Sequence, residues 1–202
     1  STRNTFQAGQ SEAYLAATVY DRVINKLERE AVEDFRIDFE DGFGHRPDEE
    51  EDEVAVRAAR EVARGMDSGC LPPFIGIRVK PVTEELKRRS VRTTDIFLST
   101  LIEASDGKLP DNFAITLPKI TCPDQVAIYS DVLRHIESGL GLNEGTIPME
   151  LMIETTQAIV DSSGNCTIPS LVRAADGRCR GAHFGTYDYT ATCNITAAFQ
   201  SH

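Results

Sequence analysis

Two periods of apolar spacing alternate along the chain. Leu15, Val19, Val23 and Leu27 recur at every fourth position, which predicts an amphipathic helix over "SEAYLAATVYDRVINKLERE" with Ser11 as its N-cap. The period then drops to two in "FRIDF", putting Phe35, Ile37 and Phe39 on one face and Arg36, Asp38 and Glu40 on the other. Pro47 opens the next helix. Its first turn, "DEEED", is acidic as the helix dipole favours, Val54, Ala58 and Val62 form its buried stripe, and Gly65 ends it.

The same succession returns four times. "FIGIRVKP" reads as a strand followed by helical sequence through "TTDIFLSTLIEA", and "FAITLPKI" as a strand followed by the helix of "PDQVAIYSDVLRHIESGLG". "MELMIET" and "RCRGAHFGTYDY" supply the fourth and fifth strands. Strand starts near 35, 74, 113, 149 and 180 are spaced as successive βα units of a parallel sheet. No biased run reads as a linker and no internal repeat is visible, so residues 1–202 are expected to form one domain.

Composition narrows the function classes. A net charge of -11 opposes binding to nucleic acid or anionic lipid, which leaves small molecules as the expected partners. The apolar runs are far shorter than a membrane span, and no signal peptide is evident. A soluble, cytoplasmic protein is therefore expected. Its five cysteines lack CxxC spacing and read as reduced thiols, neither disulfides nor zinc ligands.

Charge collects where the strands end. The first finishes at Glu40 and Asp41, the second at Arg78 and Lys80, the third at Lys119, the fourth at Glu154, and the fifth runs into Asp188. In a (β/α)8 barrel the C-terminal strand ends form the active-site mouth, and isolated buried charges are costly elsewhere. These groups are expected to converge on one polar pocket. A structural ion-pair network joining the carboxylates to Arg78 and Lys119 is the alternative.

"RIDFEDGFG", "GIRVKP", "TLPKI", "ELMIET" and "GAHFGTYDYTA", in that order, resemble the strand-end motifs of the citrate lyase beta-subunit and 4-hydroxy-2-oxoheptanedioate aldolase family, among the phosphoenolpyruvate/pyruvate-binding TIM barrels. The resemblance spans roughly residues 35 to 195. It implies an α/β fold of the (β/α)8 type, of which this sequence carries about five units. One strand would precede Ser11 and two would follow His202, so a piece of a longer barrel is expected.

The resemblance also assigns roles. Glu154 and Asp188 match the carboxylates that hold a divalent cation, Mg2+ or else Mn2+ or Co2+, and oxygen donors suit such hard ions. Arg78 matches the arginine that points at substrate oxygens and stabilises an enolate. Glu40 and Asp41 match the acidic pair of the citrate lyase branch. The aldolase branch has a catalytic histidine where this chain has Asp41, which leaves Asp41 or His45 as the proton carrier. Lys119 matches the lysine of a "PK" motif that supports the pocket. The backbone N–H groups of Gly185 and Thr186 could hold a substrate carboxylate, His183 could face either the core or the substrate, and Tyr187 and Tyr189 are read as packing residues.

The expected function is a metal-dependent carbon–carbon lyase cleaving a 2-oxo acid or acyl-CoA through an enolate, in a homo-oligomer. Phosphoryl transfer on phosphoenolpyruvate and a non-catalytic ligand-binding or assembly module are the rival readings.

Overall fold

A computed structural model describes residues 2–200, with side chains described from residue 11 onward. Helix α1 (Thr2–Glu30) leads into β1 (Asp34–Asp38), α2 (Asp48–Ser68), β2 (Phe74–Arg78), α3 (Lys87–Ala104), β3 (Phe113–Leu117) and α4 (Pro123–Leu140). Then come β4 (Met149–Ile153), the short helices α5 (Thr156–Ile159) and α6 (Ile168–Ala174), β5 (Cys179–Phe184), α7 (Thr186–Thr192) and a 3-10 turn at Ala197–Phe199.

The five strands lie side by side in chain order, every neighbouring pair parallel. A doubly wound sheet reverses its strand order at a switch point, whereas a barrel winds in one direction. The order here never reverses. The fold is α/β, five βα units of a TIM-like barrel.

Strand parity sorts the side chains into two layers. Phe39, Ile77, Ile115, Leu117, Met149 and Leu151 are buried on the helix side, against Phe97, Leu101, Tyr129 and Leu133 of α3 and α4. The other face is polar. The Arg36 guanidinium donates to both carboxylate oxygens of Glu150, at 3.1 and 2.8 Å, and Thr116 Oγ1 donates to the same carboxylate at 3.1 Å. β1 and β4 are separated by two strands, about 14 Å along a flat sheet. Side chains standing perpendicular to a flat sheet would not meet over that span, so the polar face is the concave side of an arc. Gly76 belongs to this face of β2, and a Cβ there would stand 1.9 Å from the Ala114 carbonyl oxygen.

Several boundaries differ from the sequence reading. Helix α1 starts well before Ser11, which therefore lies inside it and caps nothing. Gly65 sits inside α2, buried against Leu71, and the helix stops at Gly69, whose φ of 64° suits glycine. The buried stripe of α2 runs through Ala55, Ala59, Val62 and Ala63, with Val54 and Ala58 at its partly buried margin. β5 ends at Phe184, and "TYDY" opens α7, so Asp188 belongs to a helical first turn and not to a strand.

Two buried ion pairs tie the layers together. Lys80, read as a mouth residue, turns to the helix layer instead, where its ammonium meets Glu51 of α2 at 2.7 Å and the Phe39 carbonyl at 2.7 Å. Glu137, near the end of α4, accepts two bonds from Arg178 at 2.6 and 2.7 Å and two from the N–H groups of Gly145 and Ile147. Among the described residues no helix is long and apolar enough to cross a membrane.

Candidate active site

The charged side chains converge at the C-terminal ends of the strands. Lys119 is the hub: its ammonium lies 2.5 Å from Glu40 Oε1, 2.7 Å from Asp41 Oδ2 and 3.3 Å from Asp188 Oδ2. Its backbone N–H donates to Glu154 Oε1 at 2.6 Å. Lys119 reaches all four through a left-handed backbone, φ 50°, a conformation that costs a side-chain-bearing residue on the order of 1–2 kcal/mol. Such strain persists only where the surroundings impose it.

Arg78 stands beside this group on β2. Asp38 grips it with two bonds, Nε to Oδ1 at 2.8 Å and Nη2 to Oδ2 at 2.5 Å, leaving Nη1 toward Glu40 at 3.6 Å. Asp38 in turn accepts the N–H groups of Glu40 and Gly42, at 2.9 and 2.8 Å. One aspartate thus fixes both the arginine and the loop that carries the acidic pair. The strand alternation put Asp38 on this face, yet its orienting role escaped notice because it precedes the acidic pair rather than belonging to it.

Electrostatics distinguish the carboxyls. Burial pushes Glu154 up to about 7, with the neighbouring Asp188 carboxylate adding to the rise, against the opposing Lys119 N–H and ammonium. Glu40 is also raised, chiefly by burial. For Asp41 burial acts upward too, but its bond to Lys119 outweighs it and the carboxyl is held below the usual range. Burial at Asp38 is likewise overcome by Arg78 and the two backbone N–H groups. Burial lowers Lys119, but its bonds to Asp41 and Glu40 outweigh that and keep it firmly protonated.

Five carboxyl groups (Asp38, Glu40, Asp41, Glu154, Asp188) thus face two cationic side chains, Arg78 and Lys119. Burial raises the Glu154 carboxyl beside that of Asp188, with the Lys119 ammonium already 3.3 Å from Asp188 Oδ2. All-oxygen donors at that point fit a hard divalent cation. Glu154 does not cap the following helix: Thr155 does, accepting the Ala158 N–H at 3.1 Å.

The remaining expected residues fall differently. Gly185 gives its N–H to the Ile153 carbonyl at 3.0 Å, so that N–H is engaged within the sheet and not offered to a ligand. What the position requires is the missing side chain, since a Cβ would stand 2.5 Å from both Cβ and Oε2 of Glu154. Thr186 opens α7, and its carbonyl accepts from Thr190 Oγ1 at 2.7 Å. His45 lies exposed on the β1–α2 loop, and no contact joins it to the cluster among the described residues. Phe43 of that loop packs on Phe39, with the Lys80 ammonium 5.3 Å from the Phe43 ring centre. His183 sits lower on the concave face, 3.6 Å from Glu150, and Tyr189 packs against Phe184.

Asp34, Glu150 and His183 also bring three ligand atoms within 4.8 Å of one another. Arg36 already bridges Asp34 and Glu150, so its guanidinium occupies the place a cation would take.

A parallel sheet wound in one direction, with charge gathered at its C-terminal edge, defines a barrel-type α/β protein with a polar mouth. The family model described as Domain of unknown function (DUF6986) matches residues 3–202, and the chain belongs to that family. No curated protein matches it. Among solved structures it is similar to the Haloferax volcanii malate synthase pyruvate/acetyl-CoA ternary complex, at 17% identity and TM-score 0.50 over 70% of this chain. The lead(II) complex of the same malate synthase matches at 18% identity and TM-score 0.51 over 74% of this chain. At such identities the likeness is one of fold. The matches span 37% and 40% of those malate synthase chains.

Proposed function

We propose that the chain carries the metal-and-enolate half-site of a carbon–carbon lyase that cleaves a 2-oxo acid or an acyl-CoA, as in the citrate lyase beta-subunit and hydroxy-oxo-heptanedioate aldolase family. The observation that carries this reading is the meeting of Glu154 with Asp188 beside Arg78 at one strand-end cluster. Added support comes from the similarly folded Haloferax protein, whose complex contains pyruvate and acetyl-CoA.

Glu154 and Asp188 would hold the cation, Mg2+ or else Mn2+ or Co2+. When bound, it would supply Lewis-acid polarisation of the substrate carbonyl. Arg78, its Nε and Nη2 fixed by Asp38, keeps Nη1 for the oxygen on which negative charge develops as the carbon–carbon bond breaks. Lys119 holds Glu40, Asp41 and Asp188 in one constellation and offsets part of their mutual repulsion. Asp41 is the more exposed of the acidic pair and is the group placed to exchange a proton with the substrate carbon.

The test is exchange of pyruvate methyl protons in deuterated water, with Mg2+ and again with chelator, on the wild-type chain and Glu154→Gln. Exchange that requires both the metal and Glu154 supports the reading. No exchange with Mg2+, Mn2+ or Co2+ overturns it.

A further inference from the structure

The β1–α2 loop that carries the acidic pair is held from two sides. On the mouth side, Asp38 accepts the N–H groups of Glu40 and Gly42. On the helix side, the Lys80 ammonium donates to the Phe39 carbonyl at 2.7 Å and to the Gly44 carbonyl at 3.4 Å. Those carbonyls flank residues 40–43, so one nitrogen closes the segment bearing Glu40 and Asp41 into a ring. The third N–H goes to Glu51 Oε2 at 2.7 Å, and the Phe43 ring centre stands 5.3 Å from the nitrogen. An ammonium has three hydrogens to give, and here each has an acceptor.

Stability does not account for this arrangement. Lys80 and Glu51 are 5% and 0% exposed, and taking such a pair out of water offsets much of its attraction. Well-packed apolar side chains of similar volume serve a fold as well or better. What they cannot supply is a set of directed donors. Glu51 is itself fixed, accepting from Thr93 Oγ1 at 2.5 Å with Arg89 Nε 3.4 Å away, so the ammonium is aimed at the loop from the helix layer.

We propose that Lys80 is a positioning residue: with Glu51 as its counter-ion, it clasps both ends of residues 40–43 and sets where Glu40 and Asp41 stand at the mouth. In that place the two carboxylates meet the Lys119 ammonium, at 2.5 and 2.7 Å. The kinetic consequence rests on the lyase reading, in which Asp41 carries the proton. The structural consequence does not.

The test replaces the pair by apolar residues, Lys80→Met with Glu51→Leu, in the otherwise intact chain. The Phe39 and Gly44 carbonyls then lose their donor and turn to water, and the loop follows. Amide hydrogen exchange reads this directly. The N–H groups of Gly42 and Gly44, bonded to Asp38 Oδ2 and the Glu40 carbonyl, are expected to lose at least about tenfold protection, while those of Ile77 and Ile115 in the sheet keep theirs. In the pyruvate proton exchange, kcat is expected to fall roughly hundredfold with KM little changed, because Arg78 is fixed by Asp38 and not by Lys80. Lys80→Gln with Glu51→Gln is the second variant, a neutral pair whose shorter carboxamide has two hydrogens in place of three; the same losses are expected. Unchanged protection of Gly42 and Gly44 in a folded variant overturns the proposal, and so does an unchanged kcat once protection is lost. Unfolding of both variants overturns it too, since the pair then serves the fold itself. A wild type that exchanges no pyruvate protons ends the lyase reading alone, and amide protection still decides the clasp.

Discussion

The backbone N–H of Lys119 donates to Glu154 Oε1 at 2.6 Å while the same residue's ammonium reaches Glu40, Asp41 and Asp188. The left-handed turn at Lys119 makes both possible, since it directs the main chain to one carboxylate and the side chain to three others. Replacing Lys119 separates the two contributions. Lys119→Gly should be more stable than Lys119→Ala by about 1 kcal/mol, because glycine adopts a φ near 50° without penalty. Chemical denaturation of the pair measures it, and equal stabilities would refute a backbone contribution.

Glu154 makes stability fall with rising pH. Its ordinary value of 4.5 is raised to about 7, so the folded state binds the proton more tightly than the unfolded chain. That contribution is full below about pH 4.5 and lost as pH climbs through about 7, by at most about 3 kcal/mol. The wild type should therefore lose stability relative to Glu154→Gln between pH 5 and 8. A difference that stays constant across that window would contradict the burial argument.

Divalent cations should act in the opposite sense. Mg2+ is expected to raise the melting temperature at pH 8, where Glu154 is ionised, and to do little at pH 5, where it holds a proton. Asp188→Asn should remove most of the pH 8 effect. Equal stabilisation of wild type and Asp188→Asn would place the ion elsewhere.

Gly185→Ala probes the space around the same carboxylate. The added methyl would enter 2.5 Å from Glu154 Oε2, so Glu154 must move or the β5–α7 turn must open. A cost of about 1–3 kcal/mol is expected from the overpacking, together with loss of the Mg2+ response in the thermal scan. Retention of the full response would mean that Glu154 need not keep this position.

At the opposite end of the strands, Glu137→Ala leaves the Arg178 guanidinium buried with its main partner gone. The expected loss is about 3–5 kcal/mol, as for other buried pairs broken on one side. Removing both partners as Glu137→Leu with Arg178→Met should recover much of it. Urea denaturation reads both, and additive losses would show that the two residues act separately.

Much of the architecture could be read directly from periodicity. Parallel strands buried on the helix side write themselves as "FIGI" and "FAITL", and the polar residues at their ends mark a mouth. What the pattern could not supply was direction at the termini of elements. Lys80 follows Arg78 by two residues and shares its charge, yet beyond the strand the chain turns and sends Lys80 to Glu51 in the helix layer. Glu51 was hidden for a similar reason: in "DEEED" the first three acids are exposed, Asp52 is half-buried against Arg89 and Arg92, and Glu51 alone is the buried partner of a lysine 29 residues away. The strand-end pattern brought Asp188 to the same mouth as Glu154, but as the end of a strand, because "GTYDY" alternates well enough to read as strand although it folds as a helix. The Glu150–Arg36 bond was invisible, since a contact across two intervening strands depends on curvature that no local pattern encodes.

That bond binds positions 36 and 150 into a single unit of inheritance although 114 residues separate them. An exchange of charge at one position is tolerated only alongside the matching exchange at the other, so lineages of this fold should drift there in pairs. Leu151, next to Glu150 in the chain, answers to different partners, since it is buried in the helix-facing layer.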